Sequence, residues 1–153
     1  MIWFIQNGDP FKGGLSEILR VSKNKIVLFT WIGYGSDFWL EDYIPEIIGV
    51  DEKLFPTLAQ LDRILGGILV ETIEIPHDCT DGFMCAYWQR PEAYLDPKMR
   101  RAISTFSRIP DIQEELSRLQ GDIDSGRWHK KYRHLLEKDS LDLGYRLIVC
   151  EKQ

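Results

Sequence analysis

Two adjacent polar residues, His77 and Asp78, are the side chains of this sequence best suited to proton chemistry. They follow a strand-like run that ends at Ile75, so they lie where a strand releases the chain. Because histidine titrates near neutral pH, His77 is a candidate catalytic base. Adjacent residues on an extended chain point to opposite sides, however. Hydrogen bonding of a substrate and a structural role in the loop are therefore the alternatives for both residues.

The same loop carries residue types that can bind metal ions, but their spacing does not predict a metal site. These residues are His77, Asp78, Cys79 and Asp81. A second ligand pair would be needed, and His129 and His134 are five residues apart, which does not place them on one helical face. We therefore expect no metal.

Aromatic residues are concentrated after two of the predicted strands: Trp31, Phe38, Trp39, Tyr43, Phe83, Tyr87, Trp88 and Tyr94. Brought together, they would make an apolar pocket with a polar rim, suited to an aromatic small molecule. The candidate substrate-binding residues are Trp31, Phe38, Trp39, Tyr43, His77, Asp78, Tyr87 and Trp88. The alternative is that the aromatic side chains build the core between a helical segment and the sheet.

Composition limits the partners and the location of the protein. The 153 residues, 44% of them hydrophobic, are enough for one globular domain, residues 1–153. Nineteen basic against 24 acidic residues exclude the basic surface of a nucleic-acid-binding protein. No apolar run approaches the roughly 18 residues of a membrane-spanning helix. Three cysteines without CxxC spacing favour a reducing, cytoplasmic location.

Hydrophobic patterning predicts an α/β fold with three strands, Lys25–Ile32, Ile68–Ile75 and Leu143–Cys150. The first is apolar without interruption, which is typical of a central parallel strand covered on both faces. Helices are predicted from Pro10, from Ser36 or Asp37 to Ile48, from Pro56 to Leu65, from Asp81 to Trp88, from Pro97 to Phe106, from Pro110 to Ile123 and from Trp128 to Leu136. A helical insertion at about residues 79–140 thus precedes the last strand.

Four segments resemble the carboxyl-terminal half of class I S-adenosylmethionine-dependent methyltransferases. They are GLSEILRVSKNKIVLFTW (Gly14–Trp31), FWLEDYIPEI (Phe38–Ile47), PHDCTDGFMCAYWQRPEAYLDP (Pro76–Pro97) and LDLGYRLIV (Leu141–Val149). The resemblance implies an incomplete Rossmann-like sheet of about three to four strands, in which the last two strands pair antiparallel. It also implies that the insertion closes over a small-molecule methyl acceptor and that S-adenosylmethionine is the cofactor.

The family's glycine-rich cofactor turn and the acidic residue that ends its second strand are absent from this sequence. Gly33-Tyr-Gly-Ser36 follows the wrong strand and lacks a third glycine leading into a helix, so it reads as an ordinary turn. The resemblance places Met1–Gly8 at the family's fourth strand, and Gln6 and Asn7 where groups near the cofactor would fall. They are the candidate cofactor-binding residues.

We therefore expect a truncated methyltransferase that is inactive alone and needs an amino-terminal half. The alternative is a non-catalytic binding or oligomerisation module that kept the fold. Because a partial sheet exposes an edge and an apolar face, this alternative predicts a homodimer.

Overall fold

A computed structural model describes residues 10–35 and 37–151 of the chain. Within this range the α-helices are α1 (Pro10–Val21), α2 (Glu46–Leu54), α3 (Leu58–Leu65), α4 (Pro97–Ala102), α5 (Gln113–Asp124) and α6 (Arg127–Lys131). The strands are β1 (Lys25–Trp31), β2 (Ile68–Thr72), β3 (Ile75–Pro76), β4 (Ser140–Leu141) and β5 (Tyr145–Glu151). Short 3₁₀ helices cover Trp39–Asp42, Pro91–Leu95, Ser104–Ser107 and Arg133–Leu135.

The main sheet has the strand order β1-β5-β2, and the central strand β5 is antiparallel to both neighbours. Leu147 of β5 lies opposite Phe29 of β1 on one side and Glu71 of β2 on the other. The mixed α/β class is confirmed, and so is the antiparallel pairing of the last two long strands. The single strand predicted at Ile68–Ile75 is two strands in the structure: β2 ends at Thr72, and β3 leaves the main sheet to pair with β4 in a second, two-stranded sheet.

The prediction that β1 is covered on both faces is wrong for the described residues, and no parallel partner of β1 lies among them. Its described partner, β5, is antiparallel to it. Ile26 is 3% exposed, whereas Val27 and Phe29 on the opposite face are 54% and 57% exposed. The helices α1 and α3 cover one face of the sheet only, so an uninterrupted apolar run does not establish that both faces are covered.

The single helix predicted from Ser36 or Asp37 to Ile48 is two helices in the structure. A 3₁₀ helix covers Trp39–Asp42, and α2 begins at Glu46. Pro45 separates them, because proline has no N–H for a continuing helix and disfavours helical geometry at the residue before it.

The helix predicted from Asp81 to Trp88 is also wrong, since the described chain forms turns there. Tertiary hydrogen bonds hold these turns: Arg90 donates from Nη2 to the carbonyls of Cys79 and of Ala86, the latter at 2.9 Å. Tyr94 donates its hydroxyl to the carbonyl of Met84 at 2.6 Å. These side-chain bonds fix the path of the turns, and no local pattern in the sequence encodes them.

Local signals correctly predict α3 and α5. Thr57 caps α3 through a reciprocal pair of bonds, Gln60 N to Thr57 Oγ1 at 3.2 Å and Thr57 N to Gln60 Oε1 at 2.8 Å. Gly66, with φ of 71°, ends that helix. In α5, Leu116 and Leu119 are buried at helical spacing, as predicted.

Two hydrophobic cores result. The smaller lies between the main sheet and helices α1 and α3 and contains Leu15, Ile26, Leu61, Leu65, Ile148 and Cys150. In the larger core, the helical segment of residues 77–139 packs against the loop after β1 and the amino-terminal end of β5. The candidate site residues lie in or around this larger core.

Candidate functional site

Trp39 and Trp88 are at the centre of the larger core, and each donates a hydrogen bond from its indole to a backbone carbonyl. The indole of Trp39 donates to the carbonyl of Trp88 at 2.6 Å, and the indole of Trp88 donates to the carbonyl of Ile75 at 3.1 Å. The Trp39 ring lies edge-on to Tyr94 at 5.5 Å and to Trp128 at 5.1 Å between centroids. This chain of contacts ties the loop after β1 to the helical segment and to β3.

A second aromatic group lies at the carboxyl end of β1. The Tyr34 ring is 4.4 Å from that of Trp31 and 4.7 Å from that of Phe38, between centroids. Phe55 closes the group against Trp31 at 5.5 Å. The structure therefore gathers aromatic side chains at the strand end, as the sequence predicts.

All six aromatic candidates belong to this one buried core, with 0–5% exposure: Trp31, Phe38, Trp39, Tyr43, Tyr87 and Trp88. In the described structure they pack against other side chains, which is the core role considered as the alternative to a pocket. Their role in binding a substrate stays a prediction.

His77 and Asp78, in contrast, are exposed at the end of β3. The backbone N–H of His77 donates to the carbonyl of Asp139 at 3.0 Å and extends the β3-β4 pairing by one residue. The structure thus holds His77 beside the end of the helical segment but outside the aromatic core. Its proposed role as a base also stays a prediction.

A buried polar cluster that the sequence analysis missed lies beside the aromatic group. Asp51 of α2 is 2% exposed and accepts hydrogen bonds from the hydroxyls of Tyr34 and Thr105, the latter at 2.6 Å. Burial raises the pKa of the Asp51 carboxyl, and the two hydroxyl donors partly oppose that rise. Burial also raises the pKa of Tyr34. Asp51 therefore links the loop after β1, α2 and the 3₁₀ helix at Ser104–Ser107.

A sequence signal for this cluster does exist. Asp51 falls four residues after Ile47 and three after Ile48, so helical spacing places its carboxyl on the apolar face of α2. A carboxyl on an apolar stripe must be hydrogen-bonded or protonated once it is buried. The partner hydroxyls, 17 and 54 residues away in the chain, have no such signal.

Cys85 and Tyr145 extend the polar cluster. A hydrogen bond links their side chains, and burial raises the pKa of both groups. Because the thiolate is the reactive form, this thiol is an inert core group, as the sequence predicts for Cys85. All three cysteines are free.

The loop after β1 does not fit a cofactor-binding turn. Gly35 lies so close to the carbonyl of Asp142 that an added Cβ would be 2.7 Å from that oxygen. An added Cβ on Gly144 would be only 1.7 Å from the carbonyl oxygen of Gly33, whose backbone has a φ of 134°. These glycines serve a tight contact between two loops, whereas phosphate or nucleoside groups need open backbone amides. Gln6 and Asn7 lie outside the described residues.

The Asp51 cluster makes stability dependent on pH. Since the folded pKa of Asp51 is raised, its protonated form adds stability that is fully present below the unfolded pKa and is lost as pH rises through the folded pKa. Each unit of the shift is worth about 1.4 kcal/mol. We expect the free energy of unfolding of the natural chain, relative to Asp51→Asn, to fall as pH rises from the unfolded pKa through the raised folded pKa, and then to level off. Urea unfolding at a series of pH values measures it.

Asp81→Asn is the control for this series, because it makes the same change at an exposed residue. The natural chain and this control are expected to stay parallel across the range. A difference between the natural chain and Asp51→Asn that is constant or grows with pH would contradict the role assigned to Asp51.

No three His, Cys, Asp or Glu side chains within 10–35 and 37–151 come together in a way that could hold a metal ion. In the same part of the chain, none of the helices has both the length and the apolar character needed to cross a membrane.

Comparison with known proteins adds one structural match. The chain is similar to a solved protein of Anabaena variabilis whose assigned role is that of a methyltransferase in an antibiotic biosynthesis pathway. The TM-score is 0.82, the sequence identity is 29%, and the match covers 91% of this chain and 60% of the other. No protein-family model and no curated protein matches the sequence. The chain thus has a methyltransferase-like fold and spans about 60% of the length of the protein it matches.

Proposed function

We propose that this chain is the substrate-side portion of an S-adenosylmethionine-dependent methyltransferase that acts on a small molecule. The structural match over 91% of the chain is the observation that carries this proposal. The order of strand, helices, strand, helical segment and antiparallel final strand supports it. The net charge of −5 favours a small-molecule substrate over a nucleic acid.

In this proposal the helical segment positions the acceptor. Methyl transfer from a sulfonium is an in-line displacement, so a protein mainly orients the reactants and, for some acceptors, removes a proton. His77 is the candidate base and, with Asp78, a candidate acceptor-binding residue, because both are exposed beside that segment. The buried aromatic residues would form a rigid core that supports the acceptor site.

The cofactor half is proposed to come from elsewhere. The loop after β1 is closed by its own packing, so S-adenosylmethionine would depend on groups outside the described residues, with Gln6 and Asn7 as candidates, or on a second polypeptide. We also propose that residues 1–153 form one domain with a helical insertion at about 79–140. The free cysteines support a cytoplasmic location.

Calorimetric titration with S-adenosylhomocysteine tests this proposal, because the reaction product can occupy a cofactor site without turnover. For chain shown by circular dichroism to be folded, we expect no saturable heat. Saturable binding near one per chain would contradict the expectation that the chain alone is inactive. His77→Ala with the exposed control Asp81→Ala would then show whether the loop after β3 contributes to that site.

A second candidate function is a non-catalytic binding or oligomerisation module derived from the same fold. The uncovered face of the main sheet favours this second function, because Phe29 is 57% and Leu69 is 68% exposed there. Large exposed apolar side chains grouped on one surface commonly mark an interaction site. In this alternative the fold provides a binding surface and has no catalytic role.

A further inference from the structure

The outer edge of β2 is a sheet edge without a partner among the described residues. In the main sheet, β2 pairs with β5 and ends the order β1-β5-β2. Leu69 is 68% exposed and Val70 44% exposed, although they lie on opposite faces of the strand. The strand Ile68–Thr72 contains neither proline nor lysine, the residues that natural edge strands use against pairing. This edge is therefore open to another strand.

The hydrogen-bond pattern shows which backbone groups face outward. Ile73 donates its N–H to the carbonyl of Tyr145, so the backbone of Ile73 points toward β5. Because this direction alternates along an antiparallel strand, Leu69 and Glu71 also point toward β5. The N–H and C=O groups of Ile68, Val70 and Thr72 consequently point away from the sheet. Of these outward groups, the Ile68 N–H already donates to Oδ1 of Asp62 at 3.3 Å, so the edge offers the N–H groups of Val70 and Thr72 and the carbonyls of all three residues.

We propose that two copies of this chain pair antiparallel through β2, with Val70 on the two-fold axis. In this register Val70 exchanges two hydrogen bonds with its own copy, and each Ile68 carbonyl accepts one from the N–H of Thr72 of the other chain. The N–H groups of Val70 and Thr72 then all meet an outward carbonyl, while the Ile68 N–H keeps its bond to Asp62. The result is one continuous sheet with the order β1-β5-β2-β2-β5-β1. The proposal is independent of methyl transfer.

The side chains fit the same register. Val70 packs against Val70 of the partner on the face covered by α1 and α3, which removes exposed apolar surface at the axis. On the open face, Leu69 lies across from Glu71 of the partner, whose aliphatic stem can cover it. A register shifted by one residue would set inward-pointing backbone groups against the partner and lose these hydrogen bonds.

The size of the contact sets its strength. Two five-residue strands with their side chains bury roughly 700 Å² in total, below the approximately 1,200 Å² of standard stable interfaces. We therefore expect a concentration-dependent dimer with a dissociation constant on the order of tens of micromolar. The two Glu71 carboxylates lie on the same face and repel each other, so Glu71→Gln is expected to tighten the dimer several-fold.

Opposite charges placed at residue 70 provide a test that is specific for the proposed register. Val70→Lys and Val70→Glu each set like charges against each other across the axis, so each variant alone is expected to be monomeric at about 100 µM. An equimolar mixture pairs lysine with glutamate and is expected to restore the dimer. Sedimentation velocity measures the fraction of dimer. Because Val70 is 44% exposed, both charged side chains can reach solvent.

Matched variants at Val27 serve as the control, since this residue is also exposed, at 54%, but lies on β1. Val27→Lys and Val27→Glu are expected to dimerise like the natural chain, and circular dichroism checks that every variant is folded. A natural chain that is monomeric at about 300 µM would overturn the proposal. Charged Val70 variants that still dimerise would contradict the assignment of β2 as the dimer interface. A mixture that stays monomeric would contradict the proposed register with Val70 on the two-fold axis.

Discussion

Replacing Gly144 with alanine is expected to destabilise the chain by roughly 3–5 kcal/mol. An added Cβ would lie 1.7 Å from the carbonyl oxygen of Gly33, and the φ of Gly144, 87°, is one that residues with a side chain rarely adopt. The new methyl group meets backbone, which cannot rotate aside, so the loop after β1 must move. The loss of the Ile32 N to Gly144 O bond, 3.0 Å long, is expected to follow. Urea unfolding followed by circular dichroism measures the change.

Gly67→Ala separates backbone strain from steric contact in this experiment. Gly67 also has a positive φ, 69°, but nothing lies within 4 Å of its Cβ position. Its substitution is expected to cost about 1–2 kcal/mol through backbone strain alone. Equal losses for the two variants would contradict the close packing of the two loops.

Replacing Trp88 with alanine is expected to cost about 3–5 kcal/mol of stability. Trp88 is 0% exposed, and its indole donates to the carbonyl of Ile75 at 3.1 Å. Truncation leaves a large cavity and removes the indole hydrogen bond, in a place where the helical segment meets β3. We expect the midpoint of urea unfolding to fall sharply, with the near-ultraviolet aromatic signal lost first.

Trp88→Phe divides this effect into packing and hydrogen bonding. It keeps most of the ring but removes the indole N–H, so about 1–3 kcal/mol is expected from the lost hydrogen bond and the smaller ring. The same pair of variants tests the predicted role of Trp88 in a substrate pocket. A pocket-lining residue would cost little stability when truncated, so a loss below about 1 kcal/mol for Trp88→Ala would contradict the core assignment and favour the pocket.

Elements with complete local signals were predictable from the sequence. The helix α3 has its own cap at Thr57 and its own stop at Gly66, so few distant contacts are needed to define it. The β1 strand follows from its apolar, β-branched run. Which of its faces is covered did not follow, because the helices that cover Ile26 come from elsewhere in the chain.

Elements set by distant contacts were not predictable. Turns replace the predicted helix around Met84 and Ala86, where Arg90 and Tyr94 donate hydrogen bonds to the backbone carbonyls. The β3-β4 pairing joins Ile75 to Leu141, and two-residue strands carry no periodic pattern.

By itself, the sequence determined the α/β class, the long strands, the best-capped helices and the concentration of aromatic residues after β1. These features depend on hydrophobic periodicity and capping, which act over a few neighbouring residues. Tertiary structure alone decided that the aromatic candidates form a buried core, that Asp51 meets the hydroxyls of Tyr34 and Thr105, and that β2 is an end strand of the main sheet formed by the described residues. Burial and strand pairing join residues far apart in the chain, and no local pattern encodes which of them will meet.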